Sequence, residues 1–128
     1  MKKTKIVIIE DDKFLLKLYS NKLKSNGFEV LGAINSQEGL NKVITEKPNL
    51  ILLDLVLPGK SGFEVLAEIK QNPDTKKIPV IILSNLGQES DIERGTELGA
   101  VAYFVKADLS VNHLPELIKK ILGKSNKK

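Results

Sequence analysis

Short apolar runs alternate with segments of helical period along the chain. Ile6-Val7-Ile8-Ile9 is an unbroken β-branched run, the pattern of a parallel strand covered on both faces. From Lys13 to Asn26, Leu15, Tyr19 and Leu23 recur at i, i+4 and i+8, which predicts a helix that Gly27 closes. Phe28-Glu29-Val30-Leu31 is predicted as the second strand. Asn35 with Glu38 three residues on has the form of a capping box and opens a second helix. That helix must stop before Pro48, because the residue preceding a proline avoids helical dihedrals.

Leu50-Ile51-Leu52-Leu53 is again apolar throughout and predicts the third strand. Leu57-Pro58-Gly59-Lys60-Ser61-Gly62 is loop chemistry, with Ser61 placed to cap a helix that runs to about Lys70 on an apolar face of Val65, Leu66 and Ile69. Asn72-Pro73-Asp74 breaks the chain. Pro79 to Leu83 predicts the fourth strand, its proline at the tolerated first position. Glu89 to Leu98 predicts a polar helix stopped by Gly99, and Ala102-Tyr103-Phe104-Val105 the fifth strand. Leu114, Leu117, Ile118, Ile121 and Leu122 follow the amphipathic template closely, so a last helix docks firmly. Strict strand–helix alternation calls for a parallel sheet with helices on both faces, an α/β three-layer sandwich. Strand order does not follow from the pattern.

Composition narrows the picture. A chain of 128 residues with 41% apolar and 28% charged residues has the balance of one soluble globular domain. No apolar run approaches membrane-spanning length, and the start of the chain lacks a signal-peptide pattern. The absence of cysteine removes disulfide and thiolate chemistry and makes a cytoplasmic address the default. With one histidine, His113, a multi-histidine metal site is excluded, and that residue is expected to face solvent near the start of the last helix. The net charge of +4 gathers at Lys2, Lys3 and Lys5 and at Lys119, Lys120, Lys124, Lys127 and Lys128. Without interleaved aromatics, this is a solvated basic periphery rather than a nucleic-acid surface.

Ligands of an open parallel sheet bind beyond the carboxyl ends of its strands. Those ends carry Glu10-Asp11-Asp12, Asp54, Ser84-Asn85 and Lys106, while the second strand ends in nothing reactive. Crowded carboxylates must share protons, pair with Lys106 or hold a cation. All-oxygen ligands suit a hard ion such as Mg²⁺. Ser84 and Lys106 could then donate to phosphoryl oxygens, and Asp54 could take a phosphoryl group as an acyl phosphate. Each residue alone has a plainer explanation. An acidic triplet favours a helix N-terminus whatever its function, and Asp12 is the expected N-cap there. Asp54 could equally be a turn residue, and Tyr103 a half-buried edge aromatic.

Together, Glu10-Asp11, Asp54 with its Leu57-Pro58-Gly59-Lys60-Ser61-Gly62 loop, Ser84, Tyr103 and Lys106 resemble the response-regulator receiver domain of two-component systems, of the free-standing chemotaxis type. The resemblance covers roughly residues 4–123 of a single domain spanning 1–128, with a basic tail at 124–128. It implies a flavodoxin-like (βα)5 fold with a five-stranded parallel sheet, and a phosphoacceptor signalling domain rather than an enzyme. It also implies Mg²⁺ held by Asp11, Asp54 and the Val56 main-chain carbonyl, with Glu10 acting through water. A histidine kinase or phosphotransfer protein would phosphorylate Asp54, Ser84 and Lys106 would hold the phosphoryl oxygens, and Ser84 and Tyr103 would move as switch residues. A downstream protein would then be read through the face of the fourth helix, fifth strand and fifth helix. The domain would be a monomer or a phosphorylation-dependent dimer, without direct contact with nucleic acid or membrane.

Three departures from the family pattern carry expectations of their own. Ala107 stands where receivers usually have proline, so the Lys106–Ala107 bond is expected to be trans, a non-proline cis bond costing about 2.5–4 kcal/mol. Asn85 replaces a small residue and could narrow access to the phosphoryl group. Val56 is expected to limit attack by water and prolong the phosphorylated state. The chain ends soon after the last helix without an output domain, the pattern of a free-standing receiver or of a piece of a larger regulator. The alternatives are a phospho-independent receiver-like interaction module, which would normally lose one of the key residues; an aspartyl-phosphate phosphatase, which needs a second aspartate where Val56 stands; and a flavin or nucleotide carrier, which needs a phosphate loop after the first strand.

Overall fold

The computed structural model describes residues 3–126. Five strands, β1 (Lys5–Ile9), β2 (Glu29–Ala33), β3 (Leu50–Leu53), β4 (Val80–Ser84) and β5 (Ala102–Val105), form one parallel sheet in the order β2-β1-β3-β4-β5. Five helices alternate with them: α1 (Lys13–Ser25), α2 (Ser36–Glu46), α3 (Gly62–Gln71), α4 (Glu89–Glu97) and α5 (Leu114–Asn126). This is the three-layer α/β architecture that alternation predicts, with the flavodoxin-like arrangement that the resemblance implies. Along the strands, successive residues serve opposite layers. Val7, Ile9, Ile51, Leu53, Val80 and Ile82 join a core with Val43, Val65, Leu66 and Ile69 of α2 and α3. Ile6, Ile8, Leu50, Leu52, Ile81 and Leu83 join Tyr19 and Leu23 of α1 and Leu114 and Ile118 of α5. The central strands therefore carry unbroken apolar runs, Ile6–Ile9, Leu50–Leu53 and Val80–Leu83, because both faces are covered.

The second strand is shifted from its expected span. Phe28 does not open it. The Phe28 amide donates to the Leu23 carbonyl (3.2 Å) and the Gly27 amide to the Lys24 carbonyl (3.1 Å), with Gly27 at φ 91°. That is a Schellman cap, and buried Leu23 and Phe28 supply its apolar contact. The strand instead continues through Gly32, where Leu16 of α1 comes close enough that a Cβ would lie 3.0 Å from its methyl groups. The fourth strand likewise starts at Val80. Pro79 lacks an amide, although its carbonyl accepts from Ile51 (3.0 Å). The last helix runs on to Asn126, past the expected core limit at 123, while Lys127 and Lys128 of the basic tail lie outside the described residues.

The caps follow the sequence signals with one exception. Ser61 and Glu64 form a full capping box at α3. At α2 the Asn35 side chain accepts from the Glu38 amide (2.8 Å), but Glu38 reaches past the cap to the Ile34 amide (2.9 Å). Among the described residues every peptide bond is trans, that of Lys106–Ala107 included. Two 3-10 turns, Lys106–Asp108 and Val111–His113, join β5 to α5 and were not apparent in the pattern. His113 is exposed there.

The chain leaves β1 and β3 toward opposite edges of the sheet, so the crevice at their carboxyl ends is the topological switch point. The α3 start is pressed against that crevice. A Cβ on Gly62 would lie 2.3 Å from the Asp54 carbonyl oxygen and 2.5 Å from Leu55 Cα, whereas the nearest atoms to one on Gly39 belong to the Ile9 side chain, at 2.6 Å. Backbone yields less than a side chain. Gly62→Ala is thus expected to cost about 3 kcal/mol in equilibrium urea unfolding and Gly39→Ala about 1 kcal/mol. Equal losses would show the Asp54–Leu55 backbone to be as compliant as an isoleucine side chain.

Candidate functional site

Backbone hydrogen bonds carry the parallel ladder one residue beyond the central strands. The Glu10 amide donates to the Ala33 carbonyl (2.9 Å) and the Asp54 amide to the Ile9 carbonyl (3.0 Å). Both acidic residues are thereby fixed at the sheet edge and buried, with Glu10 2% and Asp54 6% exposed. Asp11 beside them is exposed. Lys106 leaves the end of β5, and its ammonium lies 2.5 Å from Glu10 Oε1 and 3.0 Å from Asp54 Oδ2. Asp54 Oδ1 accepts from the Leu55 amide (2.7 Å) and, at longer range, the Val56 amide (3.4 Å). Glu10 Oε2 accepts from the Asp12 amide (3.1 Å). Asp12 turns away as the α1 N-cap, accepting from the Phe14 and Leu15 amides.

This geometry explains the electrostatics. Burial raises the Glu10 carboxyl above its ordinary value; the Lys106 ammonium and the Asp12 amide pull it back only in part, and the Asp54 charge adds to the rise. Burial pulls the Lys106 ammonium down, but its hydrogen bonds to Glu10 and Asp54 and the charges of the two carboxylates together outweigh it and leave its pKa above that of an ordinary lysine. Glu10, Asp11 and Asp54 each offer an oxygen, all within 4.8 Å of one another. Three carboxylates against one ammonium leave excess negative charge, and their all-oxygen donor set fits a hard divalent cation.

The remaining expected residues lie close by with different partners. Ser84 is fully buried, and its hydroxyl accepts from the Leu86 amide (3.3 Å) rather than meeting Asp54 or Lys106. Val56 is 59% exposed at the rim of the cleft that Glu10, Asp11, Asp54, Ser84, Asn85 and Lys106 also line. Tyr103 sits outside that cleft. Its ring packs beside Ile82 and Gly95, and its hydroxyl donates to the Leu86 carbonyl. Burial raises the Tyr103 phenol, and the Asp91 and Asp54 charges add to the rise. Leu86 thus holds both Ser84 and Tyr103 through its backbone. Sequence reasoning passed over it, because a leucine carries no signal for a role played by its main chain. A groove of similar size between α2 and α3, lined by Leu40, Ile44 and Ile69, has one carboxylate, Glu68, already paired with Lys60 at 2.8 Å. Among the described residues, three acidic groups within ion-binding reach of one another occur only at Glu10, Asp11 and Asp54.

Comparison with known proteins places this geometry. The chain matches the family model for the response regulator receiver domain over residues 6–119. It is 34% identical to the polar-differentiation response regulator DivK of Brucella anthropi, over 92% of this chain and 95% of that protein. To the response regulator Rcp1 of Synechocystis sp. it is 36% identical, over 92% and 84%. Other relatives are longer: the phosphate regulon transcriptional regulatory protein PhoB of Rhizobium meliloti is 37% identical over 80% of this chain but 45% of its own length. The chain spans about half the length of such relatives. Among solved structures, a CheY-like receiver domain protein from Methanospirillum hungatei JF-1 superposes with a TM-score of 0.90 at 28% identity, covering 97% of both chains. The Mn²⁺-bound form of Rcp1 superposes with a TM-score of 0.76 at 36% identity, over 94% and 90%.

Removal of the ammonium tests the charge balance. Lys106→Met leaves two buried carboxylates facing each other and is expected to cost about 2–4 kcal/mol at neutral pH without divalent cation. A lysine raised by its partners in the fold stabilises fully below the unfolded-state value of about 10.4 and loses that contribution only as pH rises through its higher folded value. The difference between wild type and variant is therefore expected not to narrow from pH 7 to 9 in urea titrations, and to narrow only in stronger alkali. A gap that closed by pH 8 would contradict this origin.

Proposed function

The chain belongs to the response-regulator receiver family, and we propose that its part in a two-component system is to take a phosphoryl group on Asp54 in the presence of Mg²⁺. Receiver domains are signalling domains that histidine kinases phosphorylate and that act on downstream partners. The observation that carries the reading for this chain is the Asp54 carboxylate, buried at the switch point with Lys106 at 3.0 Å and with Glu10 and Asp11 in ion-binding reach.

The proposed transfer starts from the phosphohistidine of a kinase or phosphotransfer protein. A carboxylate oxygen of Asp54 bonds to phosphorus as the phosphorus–nitrogen bond breaks, and the electron pair stays on the donor imidazole. Asp11, Asp54 and the Val56 main-chain carbonyl would hold the ion, with Glu10 engaged through water; the bound ion supplies neutralisation of the phosphoryl oxygens. Lys106, already within hydrogen-bond distance of Asp54, would exchange part of that contact for the phosphoryl group. Ser84 would give up the Leu86 amide and turn its hydroxyl to a phosphoryl oxygen. Most of the acceleration lies in this placement of charge, since phosphoryl transfer asks little covalent chemistry of the protein.

The signal would leave through Leu86. When Ser84 releases the Leu86 amide, the residue whose carbonyl holds Tyr103 changes its restraints, and α4 and β5 respond. Ile92 and Val101, 37% and 51% exposed, place apolar surface on the α4–β5 side, where a downstream protein would bind. Adding nearly two negative charges at Asp54 biases the population of this surface rather than creating it. The complete set Glu10, Asp11, Asp54, Ser84 and Lys106 supports this phosphorylated switch over a phospho-independent module.

Incubation with acetyl phosphate and Mg²⁺ followed by intact-mass spectrometry is expected to show one base-labile phosphoryl adduct. The adduct should vanish with Asp54→Asn or with chelator, and accumulate at least tenfold more slowly with Lys106→Ala. An adduct that survives Asp54→Asn would remove Asp54 as the acceptor.

A further inference from the structure

We propose that Ser36, at the start of α2, is a positioning residue for the metal-binding end of this site. The proposal rests on the reading of Asp11, Asp54 and the Val56 carbonyl as the ligands. Ser36 belongs to neither the strand ends nor the acidic cluster, and it is 3% exposed. Its hydroxyl donates to the Pro58 carbonyl (3.2 Å) and accepts from the Lys60 amide (2.8 Å), while its own amide also donates to Pro58 (3.2 Å). The fit is close. Gly59 between those two residues takes φ 89°, and a Cβ there would lie 2.5 Å from the Ser36 hydroxyl oxygen.

These contacts matter because of what else holds the β3–α3 loop. Its base is closed by the Gly62 amide on the Leu55 carbonyl (2.8 Å) and by the packing of Gly62 on Asp54. From Val56 to Lys60 the residues are exposed or half-buried. Among the described residues, the backbone hydrogen bonds from the 57–60 stretch to the rest of the fold come from Pro58 and Lys60, and both run to Ser36. One end of the loop is therefore set by Asp54 and its middle by Ser36, and the Val56 carbonyl lies between them. A backbone ligand has no rotamer of its own, so the restraint on its neighbours decides where it points. A hydroxyl is suited to the task because it donates to one loop group and accepts from another at once.

Three forms of the protein separate this role from a purely structural one: wild type, Ser36→Ala and Ser36→Thr. Mg²⁺ affinity is read by calorimetric titration, the Lys60 amide by hydrogen exchange, and global stability by urea unfolding. Ser36→Ala is expected to weaken Mg²⁺ binding about tenfold, within the range for loss of a residue that orients a ligand. It should speed exchange at Lys60 by a similar factor, while Ser36→Thr, which keeps the hydroxyl, stays near wild type in both. The urea midpoint should move little, since Pro58 and Lys60 are exposed and water can replace the lost partner. Wild-type Mg²⁺ affinity in Ser36→Ala would overturn the inference, as would weaker affinity without faster exchange at Lys60. If wild type itself binds no Mg²⁺, the metal reading falls and this inference with it. That result is distinguishable from failure of the inference alone, in which wild type and Ser36→Ala bind Mg²⁺ equally.

Discussion

The placement of one ammonium governs this structure's chemistry. Glu10 and Asp54 are both buried at the ends of adjacent parallel strands, and two bare carboxylates there would repel each other in a poorly solvated crevice. Lys106 arrives from β5, two strands away from β3, and places its nitrogen against both. Carboxylates can thereby gather at the switch point without forcing either one out to solvent. The compensation is incomplete, because Asp11 adds a third carboxylate and burial still lifts the Glu10 carboxyl above its usual value. A site that is stable yet short of positive charge is suited to an incoming cation.

Around this centre, positions are held mainly by the backbone. Asp54 is oriented by the amides of Leu55 and Val56, Glu10 by that of Asp12, and Ser84 by that of Leu86. Such partners hold their directions better than side chains do, and they tie each acidic or hydroxyl group to the loop that follows it. Asp54 itself is tied in this way to the start of the β3–α3 loop.

The fourth helix shows where such restraints can lead. Gly95 lets α4 sit against Ile82 and the Tyr103 ring, where a Cβ would collide at 2.6 Å with the isoleucine. On the neighbouring residue the Arg94 guanidinium lies 4.2 Å over the ring of Phe63, which is buried and follows Gly62 at the start of α3. With nine residues and no side-chain N-cap bond, α4 depends on these tertiary contacts more than on its own caps. It is thus joined on one side to the start of α3 and on the other to Ile82 and Tyr103.

Much of this was legible in the sequence because its periodicities are unmixed. Unbroken apolar runs of four identify doubly covered strands, and the caps at Asp12 and Ser61 and the glycine stop at Gly27 use local chemistry that needs no distant partner. Reactive residues at four strand ends were visible too, since parallel topology brings all those ends to one edge. Tertiary structure decided the rest. Phe28 belongs to a cap rather than a strand because its amide meets Leu23, and no period reveals that choice. Ser84 faces Leu86, and Tyr103 bonds to the same residue, through main-chain atoms that side-chain identity does not report. Ser36 touches the loop after Asp54 across 22 residues of chain, a contact that exists only once α2 and α3 pack side by side. Local chemistry set the elements and the inventory of the site, and long-range packing set which of its members touch.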